Sequence, residues 1–473
     1  MAAVPWLIAI VQVAGILSAI RAVMDARTPQ GAIAWSVALV AFPYVALPLF
    51  WIFGSRKFEG YVIERRNALE EANPIARKAW QALRDRGLLV RTDDGRELPF
   101  ERLAKLPFTT GNDVHLLIDG EETFASIFGG IDAAKSYVLV QYYILRDDRI
   151  GRELQSRLIA RARKGVRVYV LYDEIGSYDL PRSYVNTLRA GGVTVATFHT
   201  VGGRANRFQI NFRNHRKIVI TDGCHAWIGG LNVGDEYLGR DPKFGAWRDT
   251  HVHVEGPVVQ AAQVAFLEDW HWAADEMLEL YWDPQPAATG AQRNVLALPS
   301  GPADELETCT LFFVAVINSA TSRLWIASPY FVPDEQFITA VQLAALRGVD
   351  VRVLVPKKSD NRLVGLSIWS YLEELEQVGV SFYQYASGFM HQKVVLIDDR
   401  SCTIGTANFD NRSFRLNFEI TVGIVDGEIA AEVKRMLEAD FARATRMTAA
   451  DLRARSFAFR FAVQAARLAS PVQ

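Results

Sequence analysis

Two stretches of the chain, HRKIVITDGCHAWIGGLN (His215–Asn232) and HQKVVLIDDRSCTIGTAN (His391–Asn408), align without a gap, and each carries His-x-Lys-x-x-x-x-Asp. Each also places an Asn seventeen positions after its His. A unit written twice requires two similarly folded halves. The Val, Ile and Leu residues after each lysine read as a buried strand. Alternation then puts His215 with Lys217, and His391 with Lys393, on one strand face, while Asp222 and Asp398 fall on the other. On that geometry the aspartates are poor candidates for the chemistry itself. The likeness extends upstream, where KGVRVYVLYD (Lys164–Asp173) matches RGVDVRVLVP (Arg347–Pro356) and GGVTV (Gly191–Val195) matches VGVSF (Val378–Phe382). Each half therefore reads as strand, helix, strand, helix, strand, reactive strand: an α/β protein of two units facing each other.

Imidazole is both a nucleophile and, near neutrality, a proton donor, so two facing histidines can divide those roles. With Lys217, Lys393, Asn232 and Asn408 as donors, they suit the oxygens of a tetrahedral phosphate in displacement. Such a pocket needs no divalent ion, and the expectation is of no metal and no cofactor.

A chain of 473 residues has room for two or three cored domains. Its net charge of −1 argues against a basic nucleic-acid coat. Cys224, Cys309 and Cys402 have neither an even framework nor metal-ligand spacing, which points to a reducing compartment and no zinc. Ala2–Ile20 and Gly31–Phe53 carry no charged side chain, and each is near the length of a bilayer core. The first run lacks the basic start of a signal peptide and is soon followed by the second, so the pair reads as a membrane hairpin. Pro43 and Pro48 leave a re-entrant path open for the second run. Arg56, Lys57, Arg65 and Arg66 outnumber Arg21 and Arg27, favouring a cytoplasmic catalytic portion. The charged, helix-like stretch Glu59–Leu106 reads as a connector along the headgroups.

Other features read more plainly. His251 and His253 share a strand face but lack a third ligand, so they read as core or surface histidines. WHWAADEMLELYW (Trp270–Trp282) reads as a helix with its aromatic side in the core. DDGRE (Asp93–Glu97) reads as a solvated turn. DLRARSFAFRFAVQAARLAS (Asp451–Ser470) fits an interfacial helix as well as a helix closing the last domain.

The paired motif with its IGGLN and IGTAN elements resembles the phospholipase D superfamily. Within it, the hairpin, RTPQGAIAW (Arg27–Trp35), FGSRK (Phe53–Lys57) and NFDNRSFRLNFE (Asn408–Glu419) resemble bacterial cardiolipin synthases of the two-transmembrane type. Gly230 stands where that family often has Ser, while Thr406 keeps a hydroxyl in the second copy. The resemblance implies two phospholipase D-like α/β/α sandwich domains related by pseudo-twofold symmetry, after an N-terminal helical membrane hairpin. It divides the chain into hairpin (1–58), helical connector (59–106), two phospholipase D-like domains (107–286 and 287–450) and a C-terminal amphipathic helix (451–473). It counts His215, Lys217, Asp222, His391, Lys393 and Asp398 as catalytic and Asn232 and Asn408 as phosphate-binding. By position, Asp249 and Glu419 are its candidates for the carboxylates that orient the histidines.

The implied reaction is phosphatidyl transfer from phosphatidylglycerol through a phosphatidyl-histidine, with His215 attacking and His391 moving the proton, at the bacterial inner membrane. A second phosphatidylglycerol as acceptor gives cardiolipin; water, phosphatidylethanolamine or another alcohol are the alternatives. A nucleic-acid phosphodiesterase of the same fold is disfavoured by charge and hairpin, and an inactive scaffold by the two intact triplets.

Overall fold

The computed structural model describes residues 3–26, 28–54, 61, 78–90, 98–199 and 211–470. Among these residues one sixteen-stranded mixed sheet runs through both halves. At its middle, Thr109–Ile118 of the first half pairs antiparallel with Arg293–Ser300 of the second. From that seam the two halves unfold in the same order. Outward in the first half come Thr250–Glu255, His225–Gly229, Ile218–Thr221, Tyr137–Tyr142, Arg167–Asp173 and Thr194–Phe198. Outward in the second come Asn417–Val425, Ser401–Gly405, Val394–Ile397, Arg323–Ala327, Asp350–Pro356 and Ser381–Tyr385, with Ala444–Met447 added at the edge.

The duplicated strand is apolar throughout because it is buried on both faces by helices, as central strands of such sheets are. Ile218, Val219 and Ile220 in one copy and Val394, Val395 and Leu396 in the other are at most 2% exposed. The long helices Val259–Ala274 and Gly427–Ala442 pack into the interior, where Trp270, Phe266, Val433 and Leu437 are fully buried. The aromatic segment expected to be helical to Trp282 stops at Ala274. Asp275 adopts a left-handed conformation (φ 52°) that ends the helix, and Tyr281 beyond it is 53% exposed.

The N-terminal runs form helices Ala3–Asp25, Pro29–Ala41 and Pro43–Phe53. Only the first is long and apolar enough to cross a membrane unaided. The second run breaks at Phe42 (φ −134°), directly before Pro43, because a residue preceding proline is pushed out of the helical region. The first helix packs closely on the second: a side chain at Gly15 would strike the Leu39 carbonyl, and Gln12 Nε2 donates to the Val40 carbonyl at 2.9 Å. The outer faces of these helices expose Trp6, Leu7, Ile10, Val13, Leu17, Val37 and Val45, a large apolar surface.

The described part of the connector packs on the sheet instead of standing apart from it. Tyr61 is 1% exposed, its ring 4.5 Å from that of Phe418, and its hydroxyl donates to Asp269 at 2.7 Å. Leu98–Ala104 lies against Thr308–Ser319, with Phe100 edge-on to Phe312. Arg27, Arg56, Lys57, Arg65, Arg66 and the 93–97 turn lie outside the described residues. At the far end, Phe457–Arg467 docks through Val463 and Ala466 while Phe457 and Phe461 stay exposed. His253 stacks on Trp227 with ring centroids 4.5 Å apart, and His251 is buried with its Nδ1 accepting from the Leu231 amide at 3.4 Å.

Candidate active site

Each histidine is seated by the opposite half. The two residues before His215, Arg213–Asn214, pair in parallel with Asn417–Phe418, and the His215 amide donates to the Phe418 carbonyl at 2.9 Å. Likewise Phe389–Met390 pairs with Trp247–Arg248, and the His391 amide donates to the Arg248 carbonyl at 2.8 Å. The next residue on each partner strand is a carboxylate, so the orienting pairs cross between halves. His215 Nδ1 meets Glu419 at 2.9 Å, and His391 Nδ1 meets Asp249 at 2.8 Å. Both carboxylates are fully buried. Neither half alone holds a complete pair.

The two carboxylates are held differently. Glu419 accepts from Thr406 Oγ1 at 2.6 Å and Asn417 Nδ2 at 3.1 Å. Asp249 accepts from the Thr250 amide at 2.8 Å and Trp247 Nε1 at 3.4 Å. Gly230, aligned with Thr406, has no hydroxyl to offer because the Asp249 carboxylate fills the space its side chain would need.

Lys217 and Lys393 lie on the same strand faces as their histidines and are buried, with Nζ donating to the His215 carbonyl at 2.6 Å and the His391 carbonyl at 2.5 Å. Burial lowers Lys217 to about 7, opposed by Glu419 and reinforced by Lys393. Burial lowers Lys393 to about 8 against the pull of Asp249 and Glu419. His215 is lowered to about 4, by burial first and by Lys217, although Glu419 raises it. His391 is lowered by burial and by Lys393 against Asp249. Burial alone would raise Glu419 and Asp249, but the facing histidines and lysines bring both below their ordinary range. His215 is thereby held as a neutral imidazole against an ionised Glu419, beside ammonium groups that discharge easily.

A cavity of about 190 Å³ opens over both histidines, lined also by Asn232, Asn408, Tyr143 and Tyr330. Asn232 is fixed by the Ile144 amide and the Tyr237 hydroxyl, each at 3.0 Å. The buried Asn408 Oδ1 has no hydrogen-bond partner among the described residues. Asp222 and Asp398 are not in this cavity. Asp222 accepts from the amides of Lys135, Ser136 and Tyr137 at 2.8, 2.7 and 3.0 Å. Asp398 does the same for Thr321, Ser322 and Arg323, at 3.2, 2.7 and 2.9 Å. Each ends its strand in a left-handed turn (φ 53° and 54°) and pins the start of the neighbouring strand.

Arg213, Arg412 and Asp360 also line the cavity, and the motifs did not point to them. Arg213 could have been found, since alternation puts it on the face of His215 and Lys217. Arg412 is anchored by Asn211, through Oδ1 at 2.9 Å and the carbonyl at 2.8 Å. The position aligned with Arg213 is Phe389, whose ring stacks 5.9 Å from His391 and lies tilted 4.7 Å from Trp247. The two reactive copies are alike, but the wall beside His215 is cationic and that beside His391 aromatic.

Two imidazoles with Nδ1 committed to carboxylates leave two Nε2 atoms for one tetrahedral centre. Comparison with known proteins gives the family. The family described as cardiolipin synthase, PLD-like domain matches residues 127–270 and 313–441. A protein of Pseudomonas entomophila named cardiolipin synthase A is 47% identical over 99% of this chain and 98% of its own length. One of Pseudomonas putida with the same name is 46% identical over 99% and 98%. Among solved structures, phosphatidylserine synthase of Haemophilus influenzae superposes with a TM-score of 0.62 at 15% identity, over 80% of this chain and 100% of the other. Polyphosphate kinase of Porphyromonas gingivalis superposes with a TM-score of 0.50 at 12% identity, over 72% and 49%. These two share the fold. Two matched repeats and full-length relatives near half identity place the chain in the cardiolipin synthase family of phospholipase D-like proteins.

Proposed function

We propose that the protein makes cardiolipin and glycerol from two molecules of phosphatidylglycerol. The observation that carries this reading is the crossed pairing of His215 with Glu419 and His391 with Asp249 over one cavity. His215, neutral with Nδ1 against Glu419, attacks phosphorus through Nε2, and His391, reacting as the imidazolium paired with Asp249, gives its Nε2 proton to the departing glycerol. Lys217, Lys393, Asn232 and Asn408 take the phosphoryl oxygens. Glu419 then faces the cationic ring of the phosphatidyl-histidine, and an ionised carboxylate stabilises it. His391, now neutral, takes the proton of the incoming headgroup hydroxyl as the phosphorus–nitrogen bond breaks and the new phosphorus–oxygen bond forms. One phosphodiester replaces another, so no nucleotide is needed, and the ammonium groups supply the charge a divalent ion would otherwise bring.

The same proposal places the apolar helices of the first fifty-odd residues across the bacterial inner membrane as two passes, with the catalytic halves on the cytoplasmic side. The exposed apolar face from Trp6 to Val45 supports this, because only lipid covers such a surface cheaply. Nucleic acid is not among the proposed partners.

The test is product analysis from headgroup-labelled and acyl-labelled phosphatidylglycerol in mixed micelles with excess chelator. Equimolar glycerol and cardiolipin are expected. Phosphatidic acid alone would make the protein a hydrolase, and loss of turnover restored by one divalent ion would contradict the metal-free mechanism.

A further inference from the structure

The duplication supplies an internal control: wherever the two halves differ inside the cavity, the difference separates the two histidines. After Arg167–Asp173 the chain folds back on itself. Ser177 is 5% exposed, donates to the Tyr143 carbonyl at 3.0 Å and accepts from the Leu145 amide at 3.0 Å. After the matching strand Asp350–Pro356 the chain instead carries Asp360, exposed and lining the cavity. Its Oδ2 accepts from the Tyr330 hydroxyl at 2.7 Å, and among the described residues this is its hydrogen bond. The other carboxylates here are committed: Glu419 to His215, Asp249 to His391, and Asp410 to the Ser413 amide at 2.7 Å. The charge of Asp360 acts on His391 and Lys393. The cavity is thus polarised, with Arg213 and Arg412 toward one end and a carboxylate beside His391.

We infer that Asp360 selects the alcohol: its carboxylate accepts a second hydroxyl of the glycerol group that leaves from, or arrives at, His391. The inference rests on the proposed phosphatidyl transfer and adds to it the residue that favours glycerol over water and over monohydric alcohols. When the phosphorus–nitrogen bond to His215 breaks, the acceptor oxygen bonds phosphorus and gives its proton to His391, while the neighbouring hydroxyl donates to Asp360. Water and 1-propanol have no neighbouring hydroxyl. They lose nothing when the carboxylate is removed.

The experiment uses full-length protein in mixed micelles with labelled phosphatidylglycerol, labelled glycerol and 1-propanol together, comparing wild type with Asp360→Ala and Asp360→Asn. All products descend from one phosphatidyl-enzyme, so their ratio does not depend on how much of a variant is folded. Asp360→Ala should lower the ratio of glycerol-type products to phosphatidylpropanol about 10- to 150-fold, the range for one hydrogen bond to a charged group. The share of phosphatidic acid should rise. Asp360→Asn, which keeps an acceptor oxygen, should fall between. An unchanged ratio in both variants, whatever their total rate, would overturn the inference. A wild type that transfers to no alcohol would refute the proposed function and this inference with it.

Discussion

Glu419→Gln preserves volume at a fully buried position and removes one charge. Glu419 serves three side-chain donors: His215 Nδ1 at 2.9 Å, Thr406 Oγ1 at 2.6 Å and Asn417 Nδ2 at 3.1 Å. An amide offers one acceptor oxygen, so its NH₂ must face one of these donors. If it faces His215, the ring proton moves to Nε2 and the attacking lone pair is lost. If it does not, the cationic phosphatidyl-histidine still loses its counter-charge. A hydrogen bond to a charged group contributes about 1.5–3 kcal/mol, or roughly 10- to 150-fold in rate. A wrong tautomer takes the loss toward the 10⁴-fold known for the serine-protease carboxylate. We expect kcat to fall about 10²- to 10⁴-fold. The assay is rapid-quench kinetics on a nitrophenyl phosphatidyl ester, whose leaving group needs no proton. Glu419→Gln should abolish the nitrophenol burst, whereas Asp249→Asn should keep the burst and slow turnover. A Glu419→Gln rate within threefold of wild type, or equal loss of the burst in both variants, would refute the reasoning.

Lys217 and Lys393 are lowered to about 7 and about 8, so they are charged below that window and lose their protons as pH rises through it. KM for phosphatidylglycerol should therefore climb between pH 7 and 9, and a KM flat to pH 10 would contradict this. Asp222→Ala removes an ionised acceptor from three strand amides and should destabilise the fold by about 2–4 kcal/mol, with kcat per folded active site unchanged. Thermal melting with active-site titration separates the two effects, and an intact melting curve with lost turnover would restore the aspartate to the chemistry. Gly230→Ser, despite the serine common at that position in the family, should displace Asp249 from His391 and lower kcat at least about tenfold, as for other misplaced catalytic groups. Thr406→Ser, which keeps the hydroxyl on Glu419, should retain most activity.

The reactive histidines and lysines were legible because a gapless repeat and strand alternation are local properties of the sequence. Alternation also turned Asp222 and Asp398 away from the site, where the family signature alone would have kept them. The crossing of Glu419 to His215 was not legible, since it arises from strand exchange between halves some two hundred residues apart. Asp360, in the bend after Asp350–Pro356, and Arg412, in the short helix Asn411–Arg415, carry no periodic signal, and only the tertiary fold brings them to one cavity. Tyr61 lies in a charged stretch that reads as headgroup-bound, yet it plugs the core under Phe418 and holds Asp269, which also takes Arg216 at 2.8 Å. The premature end of the Val259–Ala274 helix turns on one left-handed residue, which an aromatic pattern does not announce.

Mass spectrometry of the protein after rapid quench with phosphatidylglycerol, under basic conditions that preserve phosphohistidine, shows which imidazole bonds phosphorus. A phosphatidyl group is expected on His215 in wild type, none in His215→Ala, and adduct still formed by His391→Ala from a substrate with a good leaving group. Adduct on His391 in the His215→Ala protein would reverse the assignment, and an active enzyme with adduct on neither residue would contradict the covalent mechanism.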